Sequence, residues 1–301
     1  MNHRSALTAL HGGALLFGFT GVLGKLAATT PAMIVFGRAA FAVLALGVFA
    51  GLLRRTPWQH LFARDWARLT LGGMFLAGHW VSFFIAVQVA GVAIATLGFA
   101  SFPAFTVILE GLIFRERIRP HELVLVALVT IGLVLVTPAF NLASGATLGL
   151  LWALLSGWLF ALLTLTNRAG AGKLAPVQAA LCQNMVVALC LLPFAAPVLP
   201  AVQALDWLWL ALLGVLCTGV AHSLFVASLE VLKARTAALV FALEPVYGIS
   251  FAWLIFAEVP TWRMMAGAML ILLAILLSAR YGGASPSLKP PMPTAKIARR
   301  P

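Results

Sequence analysis

Apolar runs of membrane-spanning length follow one another along this chain, and no polar stretch between them is long enough to fold alone. A helical span needs about 20 apolar residues. Ten such runs can be read, at roughly 7–25, 32–53, 69–89, 92–114, 123–139, 147–166, 177–199, 207–229, 236–257 and 263–281. Charged residues make up 9% of the 301, against about 25% in a soluble domain. Too few charges remain to cover a water-facing surface. Lipid offers no partners to backbone N–H and C=O groups, so an open chain crosses it as helix. The expected class is an all-α membrane protein with ten transmembrane helices.

The net charge of +12 does not point to nucleic acid, because the basic residues sit in short loops between apolar runs. There they orient helices. With the N-terminus inside, the inner loops and tails hold seventeen lysines and arginines, among them Arg54, Arg55, Arg115, Arg117, Arg168, Lys233 and Arg280. The outer side holds Arg263 alone, and Lys25 and Arg38 lie within or at the ends of spans. This asymmetry predicts ten spans with both termini in the cytoplasm. Residues 283–301 turn rich in Pro, Ser, Lys and Arg. They read as a disordered basic tail that can touch anionic headgroups. Arg4, an apolar stretch and Ala27-Ala28 imitate a cleaved leader. That run is long enough to span and has a counterpart at 147–166, so it is expected to be retained. Cys182, Cys190 and Cys217 all fall in apolar segments and read as small buried hydrophobes. No Cys/His spacing suits a metal, and no cofactor is expected.

The chain is also duplicated. His79, Pro103 and Glu116 recur as His222, Pro245 and Glu258, and the Pro-to-Glu spacing is 13 in both copies. Phe17-Gly18 and Lys25 match Phe160-Ala161 and Arg168, and Pro31 and Arg38 match Pro176 and Gln183. Residues 1–140 and 141–282 therefore read as two five-helix repeats. Five is odd, so the second repeat enters the membrane inverted, which is the sequence pattern of a secondary transporter.

Ionisable groups at membrane depth are costly and usually face the bundle interior. His79 lies mid-span. It reads either as a substrate-contacting group or as an interhelical hydrogen bond, and His222 reads the same way. Glu244 is the one carboxylate near a span centre. Pro245 frees the carbonyl of Phe241, and Pro103 frees that of Phe99. Both prolines are expected helix breaks. Glu244 is the place to expect coupling to a proton, or else a protonated structural group. Glu116 and Glu258 stand at helix ends as a gate or interfacial pair. Arg38 is expected near the outer end of its span, snorkelling or salt-bridged, or else holding a substrate carboxylate at a mouth. Aromatic residues inside spans include Phe83, Phe99, Trp158 and Tyr247. The expected substrate-binding set is His79, Phe83, Phe99, His222, Glu244, Tyr247 and Trp158. Phe102 stands where Glu244 stands in the other repeat, so the cavity is expected to be asymmetric.

These residues resemble the EamA family of the drug/metabolite transporter superfamily. The resemblance rests on Phe17-Gly18 with Lys25, Gly78-His79-Trp80 with Phe83-Phe84, Pro103 with Glu116, and Glu244-Pro245 with Glu258. It covers residues 8–280. Within the family the chain is most similar to amino-acid exporters of the YddG type. The resemblance implies an inner-membrane exporter of small organic solutes with a cavity formed mainly by spans 1, 3, 4, 6, 8 and 9. Phe17 and Phe160 depart from the family's commoner tryptophan. The expected function is secondary-active or facilitative export of amino acids or similar small metabolites by alternating access. The alternative solutes are drugs or nucleotide sugars. The expected partners are the solute, a proton and the bilayer, with the protein a monomer or weak dimer. A membrane-embedded enzyme or a channel is the rival class. No Walker motif and no paired carboxylates are present, so catalysis is not expected.

Overall fold

The structure is a computed structural model that describes residues 2–52, 61–113, 115, 117–136, 141, 143–169, 176–229, 231–232, 240 and 243–281. Every regular element among them is helical. The first apolar run forms α1 (His3–Gly18) and α2 (Thr20–Leu26), parted at Phe19. The second forms α3 (Pro31–Leu52). Pro31 fits a first turn, where its missing N–H costs no bond, and the Thr30 hydroxyl accepts from Met33 N–H at 3.3 Å.

The third and fourth runs meet in α4 (Ala63–Phe99), whose 37 residues are interrupted at Gly91. A straight helix of that length would reach about 55 Å, nearly twice the ~30 Å hydrocarbon core. The interruption at Gly91, with φ 84° and ψ 170°, divides it into two helical segments. The fourth run then continues as α5 (Phe102–Ile113), and the fifth is α6 (Pro120–Val136).

In the second part of the chain, α7 (Gly145–Ala169) and α8 (Pro176–Ala195) are long and unbroken. Next, α9 (Ala204–Gly214) passes through a π-helical stretch, Val215–Val220, into α10 (Ala221–Leu229). The last two helices are α11 (Glu244–Phe256) and α12 (Trp262–Tyr281).

Six of the described helices or helix chains are long and apolar enough to cross a membrane. Four shorter apolar helices accompany them: Phe102–Ile113, Pro120–Val136, Glu244–Phe256 and Trp262–Leu277. Large apolar side chains such as Leu44, Leu112, Leu189, Leu254 and Met269 face outward, as suits a lipid-facing surface. Inside, α4 lies along α7 and α8, and α3 packs on α8 and α9. α6 packs on α12, α5 on α7, and α1 on α10 and α11. The largest core cluster runs from Leu23 through Met33, Trp80 and Phe84 to Leu210 and Leu213. It joins helices from both parts of the chain. Of the three cysteines, Cys182 and Cys217 are buried as expected, but Cys190 is exposed on the outer face of α8.

Candidate functional site

His79 sits in the first segment of α4 and is buried. Its Nδ1 lies 2.7 Å from the Ser156 hydroxyl and 3.2 Å from the Ser156 carbonyl oxygen on α7. Aromatic rings surround it: the Phe99 centroid is 5.0 Å away, Phe160 4.9 Å and Phe83 6.5 Å. Phe102 stacks on Phe99 at 5.3 Å.

The chain brings Phe99 and Phe102 together because the helix breaks between them. Pro103, second residue of α5, has no N–H to continue the ladder. Ser101 fills the gap, giving both its N–H and its hydroxyl to the Gly98 carbonyl at 3.2 and 2.7 Å. The result is one imidazole set in a box of phenylalanines. Its Nε2 makes no hydrogen bond among the described residues.

Arg38 does not reach the aqueous edge. It is 3% exposed, and its Nε donates to Thr218 Oγ1 at 2.8 Å. The guanidinium carbon stands 3.9 Å from the centre of the Trp80 ring. A cation stacked on an indole away from water gains about 2 kcal/mol, which offsets part of its desolvation. Thr218 lies in the π-helical stretch, and its hydroxyl in turn donates to the Leu213 carbonyl, five residues back, at 3.1 Å. Arg38 is within electrostatic reach of His79, Glu244 and Cys217, yet it forms no ion pair with Glu244 among the described residues.

Glu244 opens α11 and Pro245 follows as its second residue. The Phe241 carbonyl lies outside the described residues. The carboxylate of Glu244 makes no hydrogen bond or ion pair among the described residues. Gly18 lets α1 approach this helix start, because a Cβ there would lie 2.7 Å from Tyr247 Cβ and 3.1 Å from the Glu244 carbonyl oxygen.

The other expected binding residues scatter. Phe83 and Phe99 join His79. Tyr247 packs with Leu7 against Ala6, Leu10 and Ala14, along α1. On α10, the His222 Nε2 is buried with no partner among the described residues. Trp158 stands 36% exposed at the periphery and packs edge-on against Phe105 at 5.5 Å. It shares α7 with Ser156 and Phe160, but about 200° or 160° around the helix from them, so it faces away from the histidine.

Glu258 stands at a junction of three elements. Ala257 ends α11 in the left-handed conformation, φ 55°. Beyond it the Glu258 carboxylate accepts from Val92 N–H at 3.1 Å and pairs with Lys25 at the end of α2. Lys25 also lies 4.6 Å over the Phe256 ring. The carboxylate thus caps the helical segment that restarts after Gly91, where a negative charge is favoured. Its counterpart Glu116 lies outside the described residues.

Sequence reasoning underrated four residues. Arg38 lies near the outer end of its apolar run, where snorkelling or a mouth site is expected, whereas packing buries it. Trp80, Thr218 and Ser156 carried only weak signals. Thr218 shares a helix face with His222, Trp80 adjoins His79, and Ser156 is a lone serine in an apolar run.

The wider comparisons bear on the whole chain. An uncharacterised transporter of Bacillus subtilis (strain 168), YxxF, is 23% identical over 280 residues, spanning 90% of this chain and 89% of that protein. A solved crystal structure matches 94% of this chain and all of its own, with a TM-score of 0.62 at 22% identity, and so shares the fold. The EamA-like transporter family matches residues 4–137 and again residues 147–280. With two successive matches that together take in most of its length, the chain belongs to the EamA-like transporter family and is a multi-pass membrane protein.

Proposed function

We propose that the protein is a secondary transporter that exports an amino acid or similar small metabolite by alternating access between two inverted five-helix halves. The halves are residues 1–140 and 141–282, both termini are cytoplasmic, and the membrane is a bacterial inner membrane. The observation that carries this reading is the placement of the polar groups. Arg38 and His79 come from the first half, and Thr218 and Glu244 from the second. Arg38 bonds Thr218 and lies within electrostatic reach of His79 and of Glu244, in otherwise apolar helices. A site shared by two halves changes sides when the halves rock.

The packing pattern supports a two-fold relation between the halves. α3 and α8, second in each half, pack on each other, as do α6 and α12, fifth in each half. α1 packs on the fourth helix of the second half, and α7 packs on α5, part of the fourth span of the first. The aromatic box suits a solute with an apolar part. A nucleotide sugar would call for several cations, and Arg38 is the one buried in this cluster. Glu244 is the carboxylate available to carry a proton.

Counterflow of labelled amino acids by the purified protein in liposomes, at two pH values, tests the function. Saturable counterflow of at least one amino acid is expected. Flux that rises linearly with concentration would make the protein a channel, and no counterflow would remove the transport reading for this solute class.

A further inference from the structure

We propose that Arg38 is the receptor for a carboxylate of the solute and Glu244 the receptor for its ammonium group. Thr218 positions the arginine. The inference rests on the transporter reading and assigns chemistry to its site.

The argument starts from donors left over. A guanidinium carries five N–H groups and no acceptor. Only Arg38 Nε–H is hydrogen-bonded among the described residues, to Thr218. One face of the group is covered by Trp80. What remains is the terminal edge, which is the edge that takes a carboxylate through two parallel bonds. A charge buried in a membrane helix with most of its donors unspent is a functional group by default.

The clamp on the other edge has the correct polarity. The Thr218 hydroxyl has a single proton, and that proton goes to the Leu213 carbonyl. Toward Arg38 the oxygen is left as an acceptor, which is what a donor-only group requires. An α-helical residue reaches the carbonyl four back. The π-helical stretch Val215–Val220 instead places Thr218 over the fifth, and such stretches often mark functional sites.

Glu244 supplies the complement. It comes from the other half, opens α11 against Gly18 of α1, and makes no hydrogen bond or ion pair among the described residues, though it is within electrostatic reach of Arg38. A guanidinium and a carboxyl group that do not bond each other among the described residues suit a molecule that carries both signs on groups attached to one carbon. An α-amino acid does so. An amine without a carboxylate or an acid without an amine satisfies only one of them.

The test uses full-length protein purified in detergent, with binding read as thermal stabilisation by each of the twenty L-amino acids. The best of them is then compared with its methyl ester, its decarboxylated amine and its deaminated acid. All three analogues are expected to bind at least about tenfold more weakly, because each leaves a buried charge unpaired. In Arg38→Gln the preference for the amino acid over its ester collapses. In Glu244→Gln the preference over the deaminated acid collapses. Thr218→Val weakens binding by about tenfold while Thr218→Ser, which keeps both hydroxyl bonds, stays close to the parent.

No stabilisation by any amino acid, or equal binding of amino acid and ester by the unaltered protein, overturns the proposal. So does Arg38→Gln with its discrimination intact. If Arg38→Gln fails to fold, the analogue series and the Thr218 pair still decide. Binding with this selectivity but without counterflow removes the transport reading and leaves the receptor. Counterflow of an amino acid that ignores the carboxylate does the reverse.

Discussion

The contact between His79 and Ser156 joins the two parts of the chain through one side chain each. Interhelical hydrogen bonds in membranes contribute on average about 0.6 kcal/mol, since alternative partners exist in the membrane-bound unfolded state. Ser156→Ala is therefore expected to lower thermal stability only slightly, by about 0.6–1.7 kcal/mol. His79→Phe separates packing from polarity. The new ring would join Phe83, Phe99 and Phe160, so the fold should persist with a comparable loss. Solute counterflow should fall by about tenfold, the effect of one lost polar contact. Melting temperature and initial counterflow rate, measured on the same preparations, check both. Unchanged counterflow in His79→Phe would make the histidine a packing residue. That a histidine lay mid-span was plain in the sequence. Which of its neighbours it bonds was not, because Ser156 is 77 residues away and nothing local links them.

At the scale of elements, the most telling feature is the turn at Gly91. Two long apolar runs, separated by very few residues, required a tight reversal or bend. The structure makes it with a single residue at φ 84° and ψ 170°, a region that is essentially glycine's alone and costs other L-residues about 1–3 kcal/mol. A Cβ there would also sit 2.9 Å from Glu258 Oε2, displacing the carboxylate that caps Val92. Gly91→Ala is thus expected to destabilise by about 2–3 kcal/mol, the strain plus the weakened cap. Glu258→Gln keeps an acceptor for Val92 N–H and loses the attraction to Lys25. For a partly exposed pair that is worth about 0.5–1 kcal/mol. Thermal unfolding should rank Gly91→Ala clearly below Glu258→Gln, and the opposite order would show that the junction is held by charge more than by backbone geometry. The prolines were legible in advance as interruptions. Their place at the second position of α5 and α11, with Ser101 closing one gap, was not. A proline announces a lost donor but not the group that compensates.

Across the whole molecule, the distribution of lysine and arginine makes the strongest statement about orientation. Topology reporters should place position 301 in the cytoplasm and an insertion after Gln203 outside. A phosphatase active only outside and a fluorophore active only inside read the two sites, and both on one side would mean that the number of spans between them is even.

Composition, run length and duplication determined what class of protein this is, because each depends only on which residues follow one another. Lipid tolerates helices and little else, so apolar length alone identifies a span. The tertiary structure decided which residues meet. In a soluble helix the polar face reveals the outside, whereas these helices are apolar on both faces and their sequence does not tell inward from outward. Trp158 and Phe160 differ by two positions on α7, yet one stands at the periphery and the other against His79. Arg38, read as a candidate for the membrane edge, is folded over Trp80 and bonded to a threonine 180 residues further on. A buried cation goes where a distant acceptor and a ring can hold it, and only the packed bundle brings those together.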